Sequence, residues 1–223
     1  MSQPPLSQSE LLTAAQALSG LTLAQVAHDN NIQVPESLLR NKGWIGNLLE
    51  IALGAHAGSK PTQDFPELGI ELKTIPIDSV GKPLETTFVC VTPLMSITGL
   101  QWSQSNIANK LSKVLWVPIL SEKRLAIGER QIGTPFLWQP SPQQTYLLQQ
   151  DWEEIMELIS IGEIDAITGK TGQVLQLRPK AANSKALTNA IGRDGQPIKT
   201  LPRGFYLKIP FTHDILKQQF GYN

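Results

Sequence analysis

Between residues 43 and 75 the apolar residues change their period, and this limits the fold more than any other feature of the chain. Across Gly43 to Leu53, the residues Ile45, Leu48, Leu49 and Ala52 recur at helical spacing, which predicts a helix with one buried face and Glu50 on its flank. From Ile70 onward, Ile70, Leu72 and Thr74 alternate with Glu71, Lys73 and Ile75, which predicts a strand with one polar face. Similar patterns predict helices over Ser9 to Leu18, from Thr22, over Ser105 to Leu111 and Ser141 to Ile161, and after Thr212. Strands are expected over Thr86 to Thr92, Lys113 to Leu120, Leu125 to Ile132, Val174 to Arg178 and Gly204 to Ile209. Helices alternating irregularly with strands imply an α/β chain of the mixed α+β kind, with a central mixed sheet flanked by helices. No Pro/Gly linker is long enough to separate independent domains, so residues 1–223 are expected to form one domain with two lobes around a cleft. At 41% hydrophobic residues the chain has material for a proper core.

Several function classes are excluded by composition. Apolar runs such as Val114 to Leu120 stop well short of the roughly 20 residues a membrane helix requires. The start, MSQPPLSQSE, lacks a basic stretch and an apolar stretch, so a soluble, non-secreted, cytoplasmic protein is expected. The single cysteine, Cys90, excludes an internal disulfide and a zinc site of several cysteines, and the three histidines form no HExxH-like pair. Any metal must therefore be held by carboxylates.

The net charge is zero, yet it is strongly polarised. Residues 1–168 hold 10 basic and 17 acidic groups, whereas residues 169–223 hold 9 basic and 2 acidic. Residues 151–165 carry Asp151, Glu153, Glu154, Glu157, Glu163 and Asp165 with no base between them, a run that repels a phosphate backbone. A polyanion should therefore meet the last quarter of the chain, although an acidic solvated helix beside a basic solvated tail gives the same pattern. The segment GLTLAQVAHDNNIQVPESL has the look of a helix-turn-helix and so suggests a DNA-binding regulator without catalysis. Its second helix, after Pro35, would carry only Glu36 and Arg40 as charged groups, so two small packed helices are the better expectation.

The chemistry concentrates in QDFPELGIELKTIP. Asp64 lies at a turn before the strand, Glu71 follows seven positions later, and Lys73 shares Glu71's face of the strand. Two converging carboxylates suit hard Mg²⁺, and an adjacent lysine can stabilise a pentacovalent phosphate or orient the attacking water. The pattern D-x6-E-x-K thus implies phosphodiester hydrolysis. Two solvated charges outside an apolar strand face produce the same Glu-x-Lys, and that alternative stands beside the first. Glu50 can add a third acid and Lys110 a second cation, while packing beside Trp44 and a surface lysine are their plainer readings.

A second signal lies between about 169 and 210, the basic segment expected to read DNA. LQLRPKAANSKAL presents Arg178, Lys180 and Lys185, and LPRGFYLK presents Arg203, Phe205, Tyr206 and Lys208. The connection between these segments, with Asn183, Ser184, Asn189 and Gly192, reads as a loop. Arginine can pair bidentately with guanine, lysines can take phosphates, and alternation places one of Phe205 and Tyr206 in the core and the other outside. A plain basic hairpin is the alternative.

The segments NKGWIGNLLEIALGAHAGSKPTQDFPELGIELKTIP, ETTFVCVTPL, LQLRPKAANSKALTNAIG and TLPRGFYLK closely resemble the MutH family, the methyl-directed endonucleases of bacterial mismatch repair. The resemblance covers nearly the whole chain in the family's order and spacing; the first ten residues and those after Phe211 match least. It implies a restriction-endonuclease-like fold whose two lobes grip DNA. It also implies Mg²⁺-dependent nicking of the unmethylated strand at hemimethylated GATC sites. By the same resemblance Asp64, Glu71 and Lys73 form the catalytic motif, with Asp64 and Glu71 on the metal, Glu50 the additional acid and Lys110 a supporting lysine. Lys42, Gly43, Arg178, Pro179, Lys180 and Tyr206 correspond to the DNA-reading positions. Activation by MutL with ATP and action as a monomer are implied in the same way. A restriction-type enzyme of the same fold would share the acids and the lysine but cut both strands.

Overall fold

The computed structural model describes residues 3–39, 41–55, 61–122, 124–181, 183 and 185–221. In chain order the first half contains α1 (Gln8–Gln16), α2 (Leu23–Asp29), α3 (Trp44–Ala52), β1 (Glu71–Ile77), β2 (Thr87–Val91), α4 (Asn106–Leu111) and β3 (Val114–Leu120). The second half contains β4 (Gln131–Ile132), β5 (Phe136–Trp138), α5 (Pro142–Ser160), β6 (Leu175–Pro179), β7 (Thr188–Ile191), β8 (Pro197–Thr200), β9 (Arg203–Leu207) and α6 (Ile209–Phe220). The fold is mixed α+β, with helices beside sheets. No helix among the described residues is long and apolar enough to cross a membrane. The chain divides into two compact units, one drawn from residues 1–85, 112–139 and 215–223, the other from Thr86–Leu111 and Pro140–Asp214.

The first unit is built on a four-stranded mixed sheet. β3 is its centre: it pairs in parallel with β1, from Glu71 opposite Val114 to Ile77 opposite Leu120, and antiparallel with β5 and then β4. A strand flanked on both sides needs apolar residues on both faces, and VLWVPIL supplies them. Pro118 falls in the gap between the residues paired with β5, which end at Trp116, and those paired with β4, which begin at Ile119. There its missing N–H costs no bond to either of those strands. α1, α2 and α3 contribute Leu11, Ala15, Leu23, Val26, Leu48 and Leu49 to a core shared with Phe65, Ile70, Leu72, Leu115, Val117 and Ile119. Thr22 caps α2 as expected, its side chain accepting from the Gln25 N–H while the Gln25 side chain accepts from the Thr22 N–H.

Three expectations fail in this unit. No helix follows Pro35: residues 35–39 are irregular, with a bend at Glu36 and a turn at Leu38–Leu39, so the helix-turn-helix and the preferred pair of packed helices both lack their second member, and Arg40 lies outside the described residues. The strand expected over Leu125 to Ile132 shrinks to Gln131–Ile132, behind a single 3-10 turn at Ile127–Glu129, and β5 forms where the pattern predicts no strand. β1 has no open polar face, because both Glu71 and Leu72 are buried.

The second unit carries a three-stranded antiparallel sheet in the order β2-β9-β6 and a separate hairpin, β7-β8. In place of the one central sheet expected, the described residues form three sheets. The hairpin escapes a periodicity reading because TNAI and PIKT contain one buried residue between them, Ala190. α5 begins with Ser141 as cap and Pro142 in its first turn, and the Ser141 and Gln144 side chains satisfy each other's backbone N–H groups. Leu148, Trp152, Ile155, Met156 and Ile159 form its buried face. α6 starts earlier than expected, at Ile209 rather than after Thr212.

Candidate active site

Asp64 is positioned by a tight chain reversal. Phe65 and Ile70 exchange backbone hydrogen bonds of 2.9 and 3.2 Å across a 3-10 turn, Pro66–Leu68, which folds the chain back onto the start of β1. In β1 the Glu71 N–H donates to the Lys113 carbonyl, 3.0 Å, on the β3 side. Successive amides of a strand point in opposite directions, so the Leu72 N–H faces the other edge, where Asp64 Oδ2 accepts it at 2.8 Å. The aspartate thus lies alongside the strand that carries Glu71 and Lys73.

Glu71 and Lys73 lie on the same face, as their spacing predicts, and are in direct contact: Lys73 Nζ is 2.5 Å from Glu71 Oε1. The Glu71 side chain is 2% exposed and that of Lys73 13% exposed, so the pair is an interior one rather than two solvated charges. Glu50, in the last turn of α3, is half-buried. Its carboxylate turns back along the helix so that a Cβ on Gly46 would lie 3.9 Å from Oε1. Among the described residues no cluster of three or more His, Cys, Asp or Glu side chains is close enough to hold a metal. The candidate donor set is therefore the Asp64–Glu71 pair, all oxygen and anionic, which fits Mg²⁺ with its other positions left to water and phosphate. Lys110 belongs to the second unit, half-buried in the last turn of α4, whose Ile107 and Leu111 are buried as expected.

Lys42 and Gly43 form an exposed turn that opens α3. Gly43 stands at the cap position with φ 89°, a left-handed conformation that most side chains resist. Residues 56–60 of the same motif lie outside the described residues.

On the second unit's sheet, Phe88, Tyr206 and Gln176 lie opposite one another across β2, β9 and β6. Phe205 is 1% exposed and Tyr206 half-buried, so alternation sends the first ring to the core and the second to the other face. The Phe88 and Tyr206 rings meet edge to face with centroids 5.3 Å apart. The Arg178 guanidinium stands 5.8 Å from the Tyr206 ring centre and donates to Thr86 Oγ1 at 3.1 Å, while Lys180 Nζ sits 4.1 Å from the Phe88 ring centre. Gly204 makes this possible: a Cβ there would come within 2.8 Å of Phe88 Cε2. Pro179 and Lys180 are exposed at the end of β6, with the Lys180 N–H held by the Pro202 carbonyl at 2.7 Å. Lys185 is also exposed, and Ser184 lies outside the described residues.

Two residues expected on the basic surface are otherwise engaged. Lys208 Nζ donates to the Gly172 carbonyl at 2.6 Å. The Arg203 side chain is only 17% exposed and lies 3.9 Å from Asp165. The acidic run is not uniformly solvated either, since Asp151 is 3% exposed and bound to backbone N–H groups. Phe88 and Thr86 join this surface without having been expected there. The alternation of Phe88 with buried Val89 is the available signal for the ring; nothing in the sequence pairs Thr86 with Arg178.

An aspartate beside a strand that carries a glutamate and a lysine is the equipment of a metal-dependent phosphodiesterase. The profile of the family described as "DNA mismatch repair enzyme MutH" matches residues 53–151. The DNA mismatch repair protein MutH of Shewanella oneidensis is 59% identical over 218 residues, 98% of this chain and 98% of that protein. The protein of the same description from Shewanella baltica is 58% identical, again over 98% of both chains. The chain belongs to the MutH family of DNA mismatch-repair endonucleases.

Proposed function

We propose that the chain is a Mg²⁺-dependent endonuclease that nicks the unmethylated strand of duplex DNA at hemimethylated GATC sites during mismatch repair. The observation that best supports the chemistry is the hydrogen bond that sets the Asp64 carboxylate on the Leu72 N–H, beside the strand that carries the buried Glu71–Lys73 pair. In this reading Asp64 and Glu71 hold the ion. Bound there, Mg²⁺ would polarise the scissile phosphate and acidify a water. The Lys73 ammonium then balances the charge of the pentacovalent transition state or orients the attacking water. Glu50 serves as the additional acid and Lys110 as a supporting cation. The Leu72 hydrogen bond orients Asp64 in the folded protein ahead of any reaction.

Sequence reading falls to Lys42 and Gly43 on one unit and to Arg178, Pro179, Lys180 and Tyr206 on the other. Arg178, braced against Thr86 and the Tyr206 ring, suits bidentate pairing with guanine, and in this reading the Tyr206 ring senses an N6-methyl group on adenine. The restriction-endonuclease-like fold, its grip on duplex DNA as a single domain, a monomeric state, a cytoplasmic site of action and activation by MutL belong to the same reading. The test uses supercoiled plasmid with hemimethylated GATC sites, Mg²⁺ and MutL with ATP. Nicked circles, absent for a GATC-free plasmid, are expected. Linear product from a single site would replace this reading with a restriction-type enzyme.

A further inference from the structure

Asp151 is a buried carboxylate that the proposed hydrolysis does not use. It sits in the middle of α5, on the face turned to the protein, and receives hydrogen bonds from three consecutive backbone amides. The Gln173 N–H reaches both oxygens at 2.8 and 2.9 Å, and the Val174 and Leu175 N–H groups reach Oδ2 at 2.7 Å each. The amides form a concave anion-binding turn whose occupant is supplied by the chain itself. Gly172 opens the turn with φ 73°, and a Cβ there would lie 2.5 Å from the Leu175 carbonyl oxygen and 3.0 Å from Asp151 Cγ. The same glycine's carbonyl is held by Lys208 Nζ at 2.6 Å. The peptide unit at the start of β6 is thus clamped by an anion and a cation.

The clamp stands immediately ahead of the residues that β6 exposes. β6 is an outer strand of its sheet, paired with β9 alone. Arg178 is three residues beyond Leu175, about 10 Å at the usual strand rise. A slip of one residue would turn Arg178 and Lys180 to the face now occupied by Leu175 and Leu177.

We propose that Asp151 is a positioning residue for DNA reading: by capturing the amides of Gln173, Val174 and Leu175, it sets the register and direction with which β6 presents Arg178, Pro179 and Lys180 to bases. The inference rests on the reading of β6 as a DNA-reading strand, and it gives the acidic helix a part in specificity without any contact with DNA. Asp151→Asn keeps the shape but removes the negative charge and, in either orientation of the amide, puts an NH2 in place of an oxygen that accepts the Gln173 N–H.

The experiment measures binding of the full chain to a GATC duplex and to a duplex with one base pair of the site changed, by fluorescence anisotropy without Mg²⁺, well below the unfolding temperature. For a folded Asp151→Asn protein, affinity for the changed duplex should stay within about twofold, because phosphate contacts are spread over many groups. The preference for GATC should fall about tenfold, the scale of one lost arginine–guanine pair. Hydrogen exchange at the amides of residues 173–175 should accelerate in parallel. Arg178→Ala is measured alongside. If it loses preference while folded Asp151→Asn keeps it, the positioning role is overturned and the reading of β6 stands. If neither loses preference, the reading of β6 fails and this inference fails with it. Should Asp151→Asn not fold, Lys208→Met opens the same clamp from the other side. Loss of preference there supports the proposal and full retention overturns it.

Discussion

Replacing Lys73 by alanine should destabilise the metal-free protein and tighten its grip on Mg²⁺. In the wild type the Glu71 carboxylate, 2% exposed, has the Lys73 ammonium 2.5 Å away. Removing one member of an interior ion pair leaves the other charge less compensated and costs up to about 3–5 kcal/mol. Lys73 itself retains 13% exposure, so the pair is not fully cut off from water and the lower end, about 3 kcal/mol, applies. For a chain of this length 1 kcal/mol moves Tm by roughly 2–4 °C, so a fall of about 6–12 °C is expected. A divalent ion at Asp64 and Glu71 replaces the missing positive charge, and Mg²⁺ should therefore raise the variant's Tm more than the wild type's. If the whole deficit is recovered, affinity for Mg²⁺ improves by at most about 150-fold. Glu71→Gln should cost less, because the lysine head can reach solvent along its flexible stem, and it should abolish the response to Mg²⁺. The assays are calorimetric unfolding with and without Mg²⁺ and isothermal titration with Mg²⁺, both without DNA. A Lys73→Ala protein with wild-type Tm and unchanged Mg²⁺ affinity would refute the argument that the lysine is Glu71's internal counter-ion.

Asp64→Ala should abolish nicking while DNA affinity stays within a few-fold, because binding is carried by dispersed basic groups; substantial residual cleavage would remove Asp64 from the catalytic set. Neutralising exposed Lys180 and Lys185 together should reduce the slope of log affinity against log salt by up to about two units, roughly one per phosphate contact, whereas neutralising the exposed Glu153 and Glu157 should leave it unchanged. An unaltered slope in the lysine pair would place the DNA elsewhere. Tyr206→Ser should fold, since the ring is half-buried and lies on the face away from Phe205, and should cut fully methylated GATC nearly as well as unmethylated GATC. Retained discrimination by the folded variant would move methyl sensing to another residue.

Much of what depends on near neighbours in this protein is legible in its sequence. The change of apolar period places α3 and β1, Ser141 and Thr22 announce two helix starts, and the i, i+2 spacing puts Glu71 and Lys73 on one face. Alternation likewise sends Phe205 and Tyr206 to opposite faces, although it is the structure that makes Phe205 the core ring. These features follow from backbone geometry over a few residues, which no distant contact alters. What tertiary structure decided is where burial and hydrogen bonding override local character. Glu-x-Lys reads as an exposed pair, yet the packing around β1 makes it an interior one. The acidic run reads as a solvated face, yet Asp151 turns inward to amides 22 to 24 residues away. Lys208 reads as a phosphate ligand and is engaged instead by the Gly172 carbonyl, 36 residues distant. β7 and β8 exist because they pair with each other, not because either carries an apolar stripe. A polar side chain's partner depends on which backbone groups the fold leaves without one, and that is settled only when distant segments meet.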